Sequence, residues 1–183
     1  DLLNSLMLTP NDIEKFEEIL QYKFKNKKLL VTALTHSSYA NEASKSCESY
    51  ERLEFLGDSV LGFVTSEYIF NKFKDLHEGK LTRLRASLVC EKTLKNFANA
   101  LHIGDFLLLS HGEQRTGGRS RPSILADAFE SIIAAVFLDS GIEEAKKIIL
   151  RFISVEFEGT YEIIKDYKTE IQEFLQSIHK NEI

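Results

Sequence analysis

The sequence has little cysteine and proline, and it has no long apolar run. Its two cysteines, Cys47 and Cys90, are far apart and have no second pair beside them, which argues against a disulfide framework or a thiolate zinc cluster. No stretch of about eighteen apolar residues is present, so a membrane-spanning helix is not expected. The first residues also lack the basic and then apolar layout of a secretory signal. These absences predict a cytoplasmic protein that contacts no membrane.

Only two prolines interrupt the chain, and each precedes a segment with helical periodicity. The 183 residues, 43% of them hydrophobic, suffice for the core of one ordinary domain. The pattern therefore predicts an all-α fold. We expect helices near 11–22, 27–39, 49–73, 80–89, 91–101, 122–139 and 142–158, with surface loops at 41–48 and 110–120.

Positive charge is scarce, because the net charge is −5 and the pI is about 5.6. This balance argues against a protein that coats nucleic acid through bulk electrostatics, so a role on nucleic acid needs local basic patches. A solvated surface is the alternative interpretation for any such patch. Three clusters qualify: Lys23, Lys25, Lys27 and Lys28; Lys80, Arg83 and Arg85; and Arg115, Arg119 and Arg121.

Acidic residues recur on two of the most apolar predicted helices. Glu51, Glu54 and Asp58 stand at i, i+3 and i+7, so they project from one side of the first helix. Asp127 and Glu130 share a face of the second helix in the same way. Basic residues beside them are too sparse to neutralise them, and unpartnered buried carboxylates are costly. Oxygen ligands without histidine or cysteine suit Mg²⁺ or Mn²⁺, which favours phosphodiester chemistry; ordinary helix-surface acids are the alternative.

The segment ERLEFLGDSVL at 51–61 resembles the signature of ribonuclease III. The blocks at 33–38, 78–87 and 117–130 are similar to the family's other landmarks, in the family's order and spacing. The resemblance covers about 12–158, with one departure: Tyr50 stands where bacterial members often have asparagine. It implies the helical fold of a ribonuclease III endonuclease domain over 8–158, which acts as a homodimer on double-stranded RNA.

The resemblance also assigns roles to four of the acids. It implies that Glu54, Asp127 and Glu130 coordinate Mg²⁺, for which Mn²⁺ can substitute. Asp58 would help to place the attacking water, so that Asp58 and Glu130 are the expected catalytic residues. Loss of Glu130 should be the most damaging change. All four acids are present, which predicts an active enzyme.

Other residues match family positions of lesser weight. Glu51 and Glu78 match further acids that line the catalytic valley, although a salt bridge or rim position is an equally good interpretation. Phe55 matches a residue that packs into the partner subunit, and a core aromatic is the alternative. His36 is expected to be structural. The arginines at 115, 119 and 121 are candidates to contact RNA phosphates.

The implied reaction is endonucleolytic hydrolysis that leaves 5′-phosphate and 3′-hydroxyl ends with two-nucleotide 3′ overhangs. Precursors of ribosomal RNA, with some messenger and transfer RNAs, are the expected substrates. The segment 166–176 resembles the opening helix of a double-stranded-RNA-binding domain, so we expect a linker at 159–165 and the first helix of a truncated domain at 166–183.

Three alternatives stay open. A catalytically inactive scaffold that binds RNA is disfavoured by the four intact acids. A short ribonuclease III without an RNA-binding module is disfavoured by the segment at 166–176. An all-α nucleotide phosphohydrolase is a distant third, because no histidine in the chain is followed by aspartate.

Overall fold

The computed structural model describes residues 7–43 and 47–157. No β-strand occurs within these ranges, which confirms the all-α prediction. The helices are α1 Pro10–Leu20, α2 Lys27–Ala33, α3 Ser37–Ala43, α4 Glu51–Lys72, α5 Glu78–Leu88, α6 Glu91–Ala100, α7 Ile103–Phe106, α8 His111–Arg115, α9 Pro122–Ser140 and α10 over 142–157, with a 3-10 turn at Gly118–Ser120.

Helix α9 lies at the centre of the fold. Residues 132–136 are completely buried, because α4, α6 and α2 pack around it. Because neighbouring helices pack on several sides of α9, most of its residues are apolar. The most extensive packing joins α9 to α4, so the two helices that carry the predicted acids are direct neighbours.

The predicted single helix at 27–39 is wrong, since the chain leaves the helical path between α2 and α3. Leu108 donates its backbone N–H to the carbonyl of Leu34 at 2.8 Å, and His36 donates to the carbonyl of Leu108 at 3.0 Å. These bonds form an isolated parallel bridge between Thr35 and Leu108. A partner more than seventy positions away therefore overrides the local helical pattern.

The segment between α1 and α2 is fastened to the end of α9 by a carboxylate. Asp139 accepts hydrogen bonds from the backbone N–H groups of Lys25 and Asn26 at 2.8 and 2.9 Å, and from the Tyr22 hydroxyl at 2.6 Å. Lys27 is paired with the buried Glu17. One lysine of the first basic cluster, Lys27, therefore stabilises the fold.

The described helices include none with the length and apolar content needed to cross a membrane. Cys47 and Cys90 are both free thiols, as predicted. The predicted linker at 159–165 and the predicted helix at 166–183 lie outside the described residues.

Candidate metal centre and active site

Helix α4 supplies three acids from its N-terminal half. Glu51 and Glu54 lie in its first turn, where carboxylates interact favourably with the positive end of the helix dipole. Asp58 follows one turn later on the same side. Glu51 and Asp58 are exposed to solvent, whereas Glu54 is half-buried.

Helix α9 brings Asp127 and Glu130 against the acidic side of α4. One carboxylate oxygen each from Glu54, Asp127 and Glu130 lie within 4.8 Å of one another, and all three side chains are half-buried. Asp58 is not part of this group of three, although its charge is the first of those that raise the pKa of Glu130. Residues from two helices therefore form one acidic centre.

The carboxylates of this centre repel one another, and this repulsion raises their pKa values. Burial raises the pKa of Glu130 to about 8, and the neighbouring charges of Asp58, Asp127 and Glu54 add to the effect. Burial also raises the pKa of Glu54, with Asp127 as the largest charge contribution. A carboxyl group with a pKa near 8 holds its proton at neutral pH, unless a cation replaces it.

The donor set fits a divalent cation that prefers oxygen ligands. Three carboxylates within 4.8 Å provide oxygen atoms only, and no histidine or cysteine joins the group. Mg²⁺ and Mn²⁺ take such ligands, while Zn²⁺ in proteins is typically bound through nitrogen and sulphur. The raised pKa values supply the second argument, because bound positive charge would offset the repulsion that causes them.

Gly57 sets the distance between the two helices at this point. A Cβ atom placed on Gly57 would lie 1.9 Å from the backbone oxygen of Glu130 and 2.5 Å from its carbonyl carbon. Only a residue without a side chain permits this approach. The glycine stands between Glu54 and Asp58 in the sequence, so this close approach of α4 to α9 lies beside the acidic centre.

Two residues near the centre, an acid and a tyrosine, were not predicted from the sequence. Glu91, the first residue of α6, is the largest charge contribution to the raised pKa of Asp127, while His36 lowers that pKa. Tyr50 is buried immediately before α4. No local signal marks either residue, because only the packing of α6 and α4 on α9 brings them to the acids.

Glu78 is not brought to the acidic centre within this chain. It begins α5, is exposed, and accepts a hydrogen bond from the Thr82 hydroxyl at 2.9 Å. Its side chain lines a groove of about 790 Å³ between α4 and α5, together with Phe63 and Phe70. Its charge is absent from the causes that shift the pKa values of Glu54, Asp127 and Glu130.

Phe55 is not a core aromatic, because 79% of its surface is exposed. It borders a groove of about 1010 Å³ whose wall includes Leu29, Leu56 and Leu138. Phe63 and Phe70 are 59% and 63% exposed further along α4. The three phenylalanines form an apolar stripe along α4, and a large exposed apolar surface usually marks a site that a partner covers.

The three candidate arginines occupy different environments. Arg119 donates two hydrogen bonds to backbone carbonyls, at 2.9 Å to Gly104 and at 2.8 Å to Leu107. Arg121 forms an ion pair with Glu113. Arg115 is exposed at the end of α8. Within the part of the chain that the structure describes, Arg115 is the one of the three with no side-chain hydrogen bond or ion pair.

This chain is similar to known proteins over most of its length. A model of the ribonuclease-III-like family matches residues 26–156. Ribonuclease 3 of Clostridium acetobutylicum is 50% identical over 177 residues, which cover 93% of this chain and 75% of that protein. Ribonuclease 3 of Campylobacter jejuni is 50% identical over 167 residues, which cover 90% of this chain and 72% of the relative.

Solved structures agree with these matches. The nuclease domain of ribonuclease III from Campylobacter jejuni, described with structural flexibility in a region involved in dimer formation, is 51% identical. It superposes with a TM-score of 0.74 over 80% of this chain and 99% of that one. Dicer from Pichia stipitis is 28% identical, with a TM-score of 0.55 over 74% of this chain and 57% of its own.

Proposed function

This chain belongs to the ribonuclease III family, and on that basis we propose that it is an endoribonuclease that hydrolyses double-stranded RNA with the help of a divalent cation. The observation that carries the proposal is the convergence of three carboxylate oxygens from α4 and α9 within 4.8 Å. Half-buried acids that raise one another's pKa values destabilise the fold, and a catalytically inactive scaffold would gain nothing from keeping them. The retention of Glu54, Asp58, Asp127 and Glu130 together therefore favours an active enzyme.

In this proposal Glu54, Asp127 and Glu130 hold the cation, which is Mg²⁺ with Mn²⁺ as a substitute. A bound Mg²⁺ supplies a lower pKa for a nearby water and neutralises charge that develops on the phosphate. Asp58, exposed beside Glu130, orients the attacking water and can accept its proton. The leaving group is the 3′ oxygen, so the products carry 5′-phosphate and 3′-hydroxyl ends.

Glu130 gives the binding step a pH dependence. Because the pKa of its carboxyl group is raised to about 8, the cation must displace a proton at neutral pH. Metal binding therefore releases protons and becomes tighter as the pH rises toward 8.

We also propose that the chain works as a homodimer through the exposed apolar stripe of α4. Phe55, Phe63 and Phe70 are each more than half exposed, and a second copy that packs on this face would bury them. The groove beside Phe55 is large enough to receive an aromatic side chain from that copy. Two centres related by a two-fold axis would each cut one strand and leave a two-nucleotide 3′ overhang.

Recognition of the duplex would rest on shape and charge. A-form RNA presents its 2′-hydroxyls in a wide minor groove, while its deep major groove resists side-chain reading. Arg115 is the best-placed arginine of the 111–121 segment for a phosphate, since Arg119 and Arg121 are held by the fold. Cytoplasmic precursors of ribosomal RNA are the substrates we propose.

The deciding experiment is cleavage of a long perfect RNA duplex in the presence of Mg²⁺. The parent chain, its Glu130→Gln variant and the same RNA as separate single strands are compared, and the ends of the fragments are mapped. We expect the parent to yield duplex fragments with 5′ phosphates, while the variant and the single strands stay uncut. If the parent binds the duplex at low salt but cuts it with neither Mg²⁺ nor Mn²⁺, the scaffold interpretation is correct.

A further inference from the structure

Ser131 places a fully buried hydroxyl directly after Glu130, at the start of the completely buried run 132–136 of α9. Its Oγ atom lies 2.8 Å from the carbonyl oxygen of Asp127 and 3.3 Å from that of Tyr50. A hydroxyl group has one proton, so the two carbonyls share it. The first of these bonds stays within α9, whereas the second crosses to the beginning of α4.

The two carbonyls belong to the helical turns that carry the candidate metal ligands. In α9 the bond spans the turn from Asp127 to Ser131, which also contains Glu130. In α4 the carbonyl of Tyr50 accepts the N–H of Glu54 at 2.8 Å, so it closes the turn that ends at Glu54. One hydroxyl therefore contacts the backbone turns of all three residues whose carboxylate oxygens lie within 4.8 Å of one another.

The first turn of α4 is held by its neighbours rather than by a cap of its own. Tyr50 stands at the N-cap position with helical dihedral angles, and its side chain makes no capping hydrogen bond within the described part of the chain. Its N–H donates to the carbonyl of Thr35 at 2.8 Å, and its carbonyl receives the hydroxyl of Ser131. Because helix ends fray where nothing fixes them, the position of Glu54 depends on these contacts outside α4.

Two contacts between α4 and α9 lie on either side of Glu54. After it, Gly57 meets the backbone of Glu130, which limits how closely the two helices approach. Before it, the Ser131 hydroxyl bonds the end of α4, and a hydrogen bond has a preferred direction as well as a preferred length. The contact at Gly57 sets the separation of the helices, and the bond from Ser131 sets how far α4 can slide along α9.

We propose that Ser131 is a positioning residue of the metal centre, whose hydroxyl fixes the first turn of α4 against α9 and so keeps the Glu54 carboxylate beside the two ligands on α9. The inference rests on the proposed function and deepens it. The acceptor on α4 is a backbone carbonyl, so the bond does not depend on which side chain stands at position 50, where this chain departs from the family pattern. Groups that orient metal ligands commonly change metal affinity when they are removed.

The test is Ser131→Ala, which removes the hydroxyl, together with Ser131→Cys, which keeps a side chain of similar shape with a weak donor. Ser154→Ala is the matched control, since the Ser154 hydroxyl bonds the carbonyl of Leu150 at 2.7 Å in the same i−4 pattern, on a helix without any of the four acids. Binding of Mn²⁺ is measured without RNA from the electron paramagnetic resonance signal of the free ion, well below the unfolding temperature of all four proteins. Cleavage of duplex RNA is then followed as kcat and KM at several metal concentrations.

We expect both Ser131 variants to bind Mn²⁺ about tenfold more weakly and to need a similarly higher metal concentration for half-maximal cleavage. KM for the duplex and the behaviour of Ser154→Ala should match the parent. Parent-like Mn²⁺ affinity in either Ser131 variant would overturn the inference, and so would a loss that Ser154→Ala shares. The proposed function fails separately, if the parent does not cut duplex RNA, because the Mn²⁺ comparison without RNA still decides the role of Ser131.

Discussion

Replacement of Gly57 by alanine should separate the two helices that form the acidic centre. The added Cβ would lie 1.9 Å from the Glu130 oxygen, whereas ordinary contacts begin at 3.4 Å, so α4 and α9 must part by roughly 1.5 Å. Both obstructing atoms belong to the backbone of a buried helix and have no rotamer with which to yield. Forced overpacking of this kind costs about 1–3 kcal/mol of unfolding free energy, and the backbone clash places Gly57→Ala at the upper end.

The effect on catalysis should exceed the effect on stability. A displacement of catalytic groups by about 1 Å can lower the rate on the order of a hundredfold. The residue displaced here is Glu130 itself. Gly79→Ala is the control, because nothing lies within 4 Å of a Cβ at that exposed helical position. Urea unfolding gives the stability of each variant, and duplex cleavage under saturating Mg²⁺ gives kcat. A Gly57→Ala protein with the stability and kcat of the parent would refute the idea that this contact sets the spacing of the site.

Three other changes test separate parts of the molecule. Phe55→Glu should shift the chain from dimer to monomer in sedimentation equilibrium, because a charge cannot be buried on the apolar stripe without cost; an unchanged mass places the interface elsewhere. The metal-free parent should lose stability as the pH rises from about 4.5 to 8, since folded Glu130 retains a proton that the unfolded chain releases, at up to about 1.4 kcal/mol per pH unit. Urea midpoints in EDTA should show a flatter profile for Glu130→Gln, and parallel profiles would contradict the assignment. Arg119→Ala should lower the unfolding free energy by about 2–3 kcal/mol by leaving two carbonyls unpaired, while Arg115→Ala leaves stability unchanged and weakens RNA binding; the reverse pattern would exchange their roles.

The helices that carry the site were predictable because their signals are local. The expected helix at 49–73 matches α4 to within two residues at its start, and Pro122 marks the first residue of α9 in both sequence and structure. The spacing of Glu54 and Asp58, and of Asp127 and Glu130, places each pair on one face. Spacing within a helix does not say which helix lies opposite, so the meeting of the two faces required the packing of α4 on α9.

The features that sequence reasoning missed all depend on long-range contacts. The break between α2 and α3 comes from the pairing of Thr35 with Leu108, which no propensity near residue 35 records. The predicted loop at 110–120 contains α8 and a 3-10 turn, because Arg121 and Glu113 pair across it and Arg119 reaches back to Gly104. Clusters of arginine look alike in a sequence, and only the carbonyls or carboxylates around each one separate a structural role from a free charge.

The division of the acidic centre between α4 and α9 has a consequence for the chain during its synthesis. Helix α4 ends at Lys72, 55 positions before Asp127, so a ribosome that adds about 5–20 residues per second completes α4 roughly 3 to 11 seconds before the acids of α9 exist. Until α9 has docked beside Gly57, the nascent chain carries half of a cation site. The metal centre is therefore complete only after α9 has been synthesised and has packed against α4.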